Sequence, residues 1–181
     1  VGDMQAVLDL VWKHLLPAFN SAPLPEEPAT QKELKQTLAG LAIQPLHGAS
    51  DSPLREHVSG KTYLLDENDP QIESLHFEFT PDTCTITSRA PHGDQVLTCG
   101  HGRWHKDTMT DERGSERKYV ASGAWTAEDT YRAQLVLYET PFCPAVTAHF
   151  AGDRVTYQFE ANVGFGPAAR PPLSGRMLQA E

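Results

Sequence analysis

Three side chains that can bind a metal ion, Cys99, His101 and His105, fall within one short segment of the sequence. Zinc requires three or four converging thiolate or imidazole ligands. If this segment is a β-strand, His101 and His105 lie about 13 Å apart at about 3.3 Å per residue, too far for one ion. Because a metal site would need a bend at one of the glycines, we favour solvated or hydrogen-bonded histidines and expect neither a metal nor a cofactor.

The residues Ser115 and Lys118 have the S-x-x-K spacing that penicillin-recognising enzymes use for acyl transfer. That chemistry needs a buried helix that places the lysine one turn from the serine. Here both residues lie in a highly charged stretch, and the sequence contains no S-D-N, Y-x-N, K-T-G or H-x-G motif. We interpret the match as coincidence and expect the chain to be non-catalytic.

Aromatic residues on predicted strands form a third kind of candidate site. Inside a barrel they would line a cavity and stack on a small apolar ligand, with a carboxylate as its polar contact. The residues are Trp104, Trp125, Tyr131, Tyr138 and Glu139, with Tyr157 and Glu160 as further candidates. The competing interpretation is that the aromatic rings fill a core and that the carboxylates face outward.

The elements that would position these residues are most regular between residues 119 and 166. In 130–139 and in 154–162, apolar and polar side chains alternate with the period of a strand that has one buried face. One face carries Tyr131, Ala133, Leu135 and Leu137 in the first strand, and Val155, Tyr157, Phe159 and Ala161 in the second. The region is therefore predicted to be a four-stranded antiparallel meander with a tight exit at 162–167, and to serve as scaffold.

Upstream of this meander, the sequence predicts five further strands. They are 61–66, 72–79, 84–88, 95–99 and 103–106. Residues 106–118 are predicted to be an exposed loop, and the proline-rich tail from Gly166 is predicted to cross the surface as a strap. About nine strands at roughly 8–12 residue spacing favour an antiparallel barrel or sandwich of about 8–9 strands. Closure into a barrel would also remove the exposed strand edges.

The first part of the chain has a different character. Residues 4–19 carry a wide apolar stripe at helical spacing, and Pro17 is expected to end this helix. A proline-rich linker follows, and Thr30 with Glu33 has the spacing of a capping box that begins a second helix ending near Gly40. With a second loop after this helix, the sequence predicts an N-terminal region of helices and linker, 1–59, and a β domain, 60–181.

Charge and composition exclude several classes of partner. The formal net charge of −9 disfavours nucleic acid and anionic membrane surfaces, and no apolar run is long enough to span a membrane. No signal peptide is visible. The cysteines are Cys84, Cys99 and Cys143, an odd number that is not typical of a disulfide framework. A reducing, cytoplasmic location is therefore expected.

Several segments resemble bacterial serine hydrolases of the β-lactamase-like, penicillin-binding-protein superfamily. Residues 11–18 and 22–25 resemble the segment that leaves the catalytic domain of these enzymes. The segments that resemble their C-terminal accessory domain are 59–63, 122–126, 138–142 and 162–166. None of the family's catalytic positions can be matched here. The resemblance implies a lipocalin-like β-barrel that accompanies an upstream serine-hydrolase domain, and a chain that begins without an initiator methionine agrees with this expectation.

Two hypotheses about function follow. The first is a non-catalytic accessory domain that packs on a serine-hydrolase domain or shapes its substrate entrance. The second is a stand-alone barrel that binds a small apolar ligand. If the N-terminal helix normally packs on a domain absent from this chain, its apolar stripe is exposed, and self-association through that helix is expected.

Overall fold

The computed structural model describes residues 4–23, 25–111, 114–163 and 170–179. The chain divides into two compact units, Val1–Gln44 and Pro45–Glu181. The predicted boundary between the two regions lies at residues 59 and 60, which places residues 45–59 with the N-terminal linker. In the structure this segment belongs to the second unit, where Val58 is fully buried in the hydrophobic core.

The first unit is helical. Helix α1, Met4–Leu10, continues as a π-helical turn, Val11–Leu15, and a 3-10 turn, Leu16–Ala18. Helix α2 spans Pro28–Gly40 and therefore ends where the sequence predicts. Its start differs from the prediction, because a proline stands at the first helical position and Thr30 lies inside the helix, donating to the Glu27 carboxylate at 3.0 Å.

The second unit begins with a short helix, α3, Arg55–Val58, and continues with ten strands among the described residues. The strands are β1 Lys61–Leu65, β2 Ser74–Phe79, β3 Thr83–Ala90, β4 Gly93–His101, β5 His105–Thr110, β6 Glu116–Ala127, β7 Thr130–Val136, β8 Ala145–Ala151, β9 Arg154–Glu160 and β10 Leu173–Met177. The four strands predicted between 119 and 166 correspond to β6, β7, β8 and β9.

The strands form one sheet that closes on itself. Neighbouring strands pair in the order β4-β3-β2-β1-β10-β9-β8-β7-β6-β5, and β4 also pairs with β6. That last pairing is parallel, through Gly100 with Ser122 and His101 with Gly123, whereas the other pairings are antiparallel. Nine strands thus complete a ring, and β5 pairs with the first half of β6. The prediction of a mainly antiparallel β-barrel is confirmed.

Two segments predicted to lack strands contain them. Residues 106–118 hold most of β5 and the start of β6, which pair with each other from His105–Ala121 to Thr110–Glu116. Backbone pairing forms this ribbon although its side chains are largely exposed, so the apolar alternation that marks a half-buried strand is missing. The prediction of an exposed loop there is wrong.

The tail does not cross the surface as a strap but contributes β10, which lies between β1 and β9. Pro171 and Pro172 precede this strand, where a missing N–H does not interrupt the ladder. Gly175 permits the pairing with β1, because a Cβ there would stand 2.8 Å from the Leu64 carbonyl oxygen and 2.6 Å from the Leu65 side chain. The predicted tight exit at 162–167 lies largely outside the described residues.

Candidate functional site

One end of the barrel is covered by the segment that leads into β1, and we call it the closed end. Ala49 pairs with Trp125 through two backbone hydrogen bonds of 2.9 Å, and the Ser52 hydroxyl donates to the carbonyl of Glu128. Helix α3 follows and buries Val58 completely. The opposite end carries the β3–β4 turn and Arg170, and we call it the open end.

The closed half of the barrel is filled by aromatic rings. The ring centroids of Tyr63, Phe77 and Phe150 lie 5.1–5.9 Å apart. Trp125 stacks on Phe79 at 5.1 Å, and Tyr131 meets both rings edge to face at 5.0–5.5 Å. These contacts are typical of a packed core, so this half of the barrel has no space for a ligand of the size of a lipid.

Two buried cysteines lie beside this aromatic cluster. Cys84 and Cys99 face each other on β3 and β4, and both are fully buried. Burial raises the pKa of Cys99 to about 12 and the pKa of Cys84 well above its usual value. Burial, with smaller contributions from the two thiols, also raises the pKa of Tyr131. These groups are therefore neutral at physiological pH and act as apolar or weakly polar packing.

The open half of the barrel contains a cavity of 670 Å³. Its apolar lining comes from Pro70, Ile72, Ala90, Met109 and Phe159. Its polar lining comes from Ser88, His92, Gln95, Thr110, Asp111, Arg117 and Arg170. The volume lies within the range of about 300–1,000 Å³ that is usual for small-molecule sites. An apolar wall with a few polar groups is also the usual composition of such sites.

The two arginines of the cavity are held differently. Arg117 Nε donates to Asp111 Oδ2 at 2.8 Å, so its charge is paired within the lining. The Arg170 guanidinium lies over the Phe159 ring, 5.4 Å from its centroid, and the Arg170 backbone N–H donates to the Phe159 carbonyl. Among the described residues, no carboxylate lies within ion-pair distance of Arg170.

The wall of the cavity is not continuous between β4 and β5. Within the described sheet these strands do not pair with each other, and β4 reaches β6 only at Gly100 and His101. Side chains bridge the space instead, since Gln95 Nε2 donates to the Thr110 carbonyl at 3.1 Å and the Thr98 N–H donates to the Tyr119 hydroxyl at 3.1 Å. The cavity therefore has a side wall that is closed by side chains and not by a backbone ladder.

The structure brings none of the five residues predicted as ligand contacts to this cavity. Trp125 and Tyr131 belong to the filled core, at 2% and 1% exposure. Trp104 lies in the turn between β4 and β5. Tyr138 is exposed beneath the ammonium group of Lys106, and Glu139 forms an ion pair with Lys118 at 3.0 Å. That these residues contact a ligand stays a prediction.

Sequence analysis also missed the residues that do line the cavity. For Phe159 one aspect was predicted, because the alternation along 154–162 places its side chain on the inner face together with Tyr157. What alternation cannot show is that Phe159 borders a cavity while Val155, four residues earlier, is buried in the core. Arg117 and Arg170 fell in segments predicted as loop and strap, where no periodicity pointed to them.

The histidines and cysteine that first suggested a metal site do not form a metal-binding group. His101 Nε2 lies 3.2 Å from the Thr80 carbonyl, and its ring meets Tyr131 edge to face. His105 Nε2 lies 3.9 Å from an Asp107 carboxylate oxygen. Within the described ranges, no three His, Cys, Asp or Glu side chains are placed to hold one ion. Nor does any described helix have the length and apolarity needed to cross a bilayer.

A second, smaller cavity of 220 Å³ has polar walls. Its lining includes Arg132, Gln134, Cys143, Glu160 and Asn162. Arg132 pairs with Glu160 at 2.7 Å, Gln134 Nε2 lies 3.1 Å from the Cys143 sulfur, and Asn162 accepts from the Cys143 N–H at 2.6 Å. Because these groups satisfy one another, the cavity offers a ligand few free hydrogen-bonding partners.

Comparison with known proteins gives structural but not sequence relatives. No known protein family matches the sequence. No curated protein matches it either. Among solved structures, a fatty acid binding protein of Schistosoma mansoni in complex with arachidonic acid aligns with 67% of this chain and 96% of its own, at a TM-score of 0.50 and 12% identity.

Two other solved structures align less closely. The fatty-acid-binding protein of Manduca sexta aligns with 68% of this chain and 99% of its own, at a TM-score of 0.43 and 12% identity. A luciferase domain of the dinoflagellate Lingulodinium polyedrum covers 95% of this chain, which spans 62% of that domain, at a TM-score of 0.47 and 12% identity. None of these three is a β-lactamase-like hydrolase, so that resemblance stays a prediction. The likeness to the S. mansoni protein shows a lipocalin-like barrel fold.

Proposed function

We propose that the barrel binds a small, mainly apolar molecule in the cavity at its open end. The observation that carries this proposal is the 670 Å³ cavity itself, lined by Ile72, Ala90, Met109 and Phe159, in a barrel whose other half is densely packed. Small-molecule sites are typically concave, mostly apolar and equipped with a few polar groups. A concave space of this size and lining at the mouth of a barrel therefore fits a ligand-binding site.

The fold comparison supports the same class of ligand. The S. mansoni barrel was solved with arachidonic acid, so a barrel of this architecture holds a long apolar molecule in that protein. The thiols and tyrosines of the filled half are buried and neutral, and among the described lining residues no serine or threonine hydroxyl is hydrogen-bonded to His92 or to a carboxylate. Binding without chemical change is accordingly the function that this site supports best.

A fluorescent amphipathic probe, anilinonaphthalene sulfonate, tests the proposal when combined with a variant that fills the cavity. Ala90 lines the cavity and is 9% exposed. Ala90→Trp is therefore expected to abolish the fluorescence of the probe that is bound in the cavity. Ala151, at the closed end of β8, is exposed, and Ala151→Trp is the matched control that should bind as the wild type does. Equal binding by both variants would place the probe elsewhere and contradict the proposal.

The accessory-domain hypothesis is a second candidate, favoured by the surface of the first unit. Its large apolar side chains are exposed, from 42% at Leu16 to 78% at Phe19. Such a surface is typical of a helix that packs on a partner. An S-x-x-K domain encoded upstream in the same reading frame is the expected result, whereas a frame that starts near Met4 would contradict this hypothesis.

A further inference from the structure

Charge is distributed unevenly between the cavity and the rest of the chain. The chain carries a formal net charge of −9, yet the cavity lining contains two arginines and one aspartate. Among the described residues of the lining, Asp111 pairs with Arg117, which leaves the positive charge of Arg170 without a paired carboxylate. In an acidic protein, a cationic group at the entrance of an apolar cavity favours a ligand that carries a negative charge.

We propose that the ligand is an amphipathic oxyanion that binds with its anionic group at the open end, against Arg170 and Arg117, and with its apolar part directed into the barrel. This inference rests on the proposed function, and it adds both a ligand class and an orientation. A carboxylate and a phosphate monoester share the chemistry that a guanidinium recognises.

The strand register places Arg117 at the entrance, and a backbone contact places Arg170 there. Arg117 is opposite Met109, near the end of the β5–β6 ribbon, and Tyr119 lies two positions further into the barrel at 1% exposure. Residues two positions apart on a strand are about 6.6 Å apart. Arg170 is exposed and bonded through its backbone to Phe159, near the last residue of β9.

The interior below the entrance is unsuitable for an anion. Among the described residues no lysine or arginine is buried, and the only buried polar residues are Ser52, Ser74 and Ser122. A charged group moved into that region would lose its hydration without gaining a cation.

The apolar part of the ligand has a path in the opposite direction. Met109, Ile72 and Phe159 lie in the cavity lining and also pack against the hydrophobic core. Leu97 and Tyr157 come next on the inner faces of β4 and β9, and both are only partly buried. An alkyl chain that enters past Arg170 therefore first meets Ile72, Met109 and Phe159, with Leu97 and Tyr157 packed behind them.

The orientation can be measured with stearic acid carrying a nitroxide either near the carboxylate or near the methyl end. Bound to isotope-labelled full-length protein, the label near the carboxylate should broaden the amide signals of His92 and Thr110. The label near the methyl end should broaden those of Leu97 and Tyr157. The reverse pattern would overturn the proposed orientation while leaving the proposed function intact.

Charge recognition is tested separately by competition with dodecanoate, dodecyl phosphate and dodecanol. We expect Arg170→Gln to weaken dodecanoate binding about fivefold to tenfold and to leave dodecanol binding unchanged. Arg176→Gln is the matched control, because Arg176 is exposed and pairs with Asp153 at the closed end. The relative affinity of the two anions identifies the headgroup.

The possible failures are distinguishable. If dodecanol binds as tightly as both anions and Arg170→Gln changes none of them, the inferred anion is wrong but a binding barrel remains. If no probe binds to the wild type, or if Ala90→Trp leaves all binding unchanged, the proposed function fails and this inference fails with it.

Discussion

The hydroxyl of Tyr131 occupies the position at which a Cβ atom of residue 123 would stand, so Gly123 and Tyr131 are fitted to each other across β6 and β7. Both residues lie on the inner face of the barrel as diagonal neighbours, since Gly123 pairs with Ala133 and Tyr131 pairs with Trp125. An added methyl group at 123 would overlap the hydroxyl and would lie 2.6 Å from the Tyr131 Cζ atom. Since Tyr131 is 1% exposed and held by Phe79 and Trp125, it has no free direction in which to move.

Gly123→Ala is therefore expected to lower the free energy of unfolding by about 1–3 kcal/mol, measured by urea denaturation. Gly40→Ala is the control, because no atom lies within 4 Å of the added methyl group there. In the double variant with Tyr131→Phe, only part of the loss should be recovered, since the ring carbon still interferes. If the double variant regained the full stability of the wild type, or if Gly123→Ala alone lost none, the strands would adjust freely at this position.

Trp125 offers a second test of the packed closed end. It is 2% exposed and stacked on Phe79, so Trp125→Ala should cost about 3–5 kcal/mol of barrel stability. Trp12, in the first unit, is 64% exposed, and Trp12→Ala should leave the unfolding transition of the barrel nearly unchanged. A small effect of Trp125→Ala in urea denaturation would show that the aromatic cluster is loosely packed.

How far the sequence predicts this fold differs between segments. Residues 154–162 alternate because β9 has one face in the core and one in solvent, and this pattern predicted both the strand and the inner position of Phe159. In β5 Met109 packs against the core, but the other side chains are largely exposed, so the strand is defined mainly by backbone pairing with β6 and the sequence shows no apolar alternation there. Strand β10 was not predicted, because two prolines directly precede it and prolines are typical of loops. Its pairing with β1 depends on Gly175.

The candidate site is less predictable than the fold for a physical reason. A cavity is the space left where inward side chains fail to meet, and it depends on the register of strands that are far apart in sequence. Trp125 and Phe159 are both aromatic and both on the inner face, yet one is in the core and the other borders the cavity. Arg170 is positioned at the entrance by the hydrogen bond from its backbone N–H to the carbonyl of Phe159 near the end of β9, and no side-chain pattern predicts that contact.

The three cysteines should differ in reactivity. Cys84 and Cys99 are fully buried with raised pKa values, whereas Cys143 is only partly buried. Because the thiolate is the reactive species, a thiol reagent at pH 8 should modify Cys143 in the native protein and the other two only after unfolding. Peptide mass spectrometry after timed alkylation identifies the modified residues. Cys143→Ser should then lack the fast phase, and rapid native modification of Cys99 would contradict the closed core.

The buried Tyr63 hydroxyl makes the stability of the barrel depend on pH in the alkaline range. Its hydroxyl is buried without a hydrogen-bond partner among the described residues, and burial, with a smaller contribution from Asp153, raises its pKa to about 12. The folded state therefore favours the neutral hydroxyl. This contribution to stability is fully present below about pH 10, the ordinary pKa of tyrosine, and is lost as the pH rises towards 12.

Tyr63→Phe removes that titration and also removes an unpaired buried hydroxyl. We expect urea midpoints that equal or exceed those of the wild type at pH 7 and that fall less steeply between pH 10 and 11.5, because the remaining decline comes from groups such as Cys99. Tyr138→Phe is the matched control, since that side chain is 40% exposed and its loss should leave the profile unchanged. If Tyr63→Phe instead lost stability at pH 7, the hydroxyl would have a partner in solution, such as an internal water, and the alkaline argument would apply only to the buried thiols.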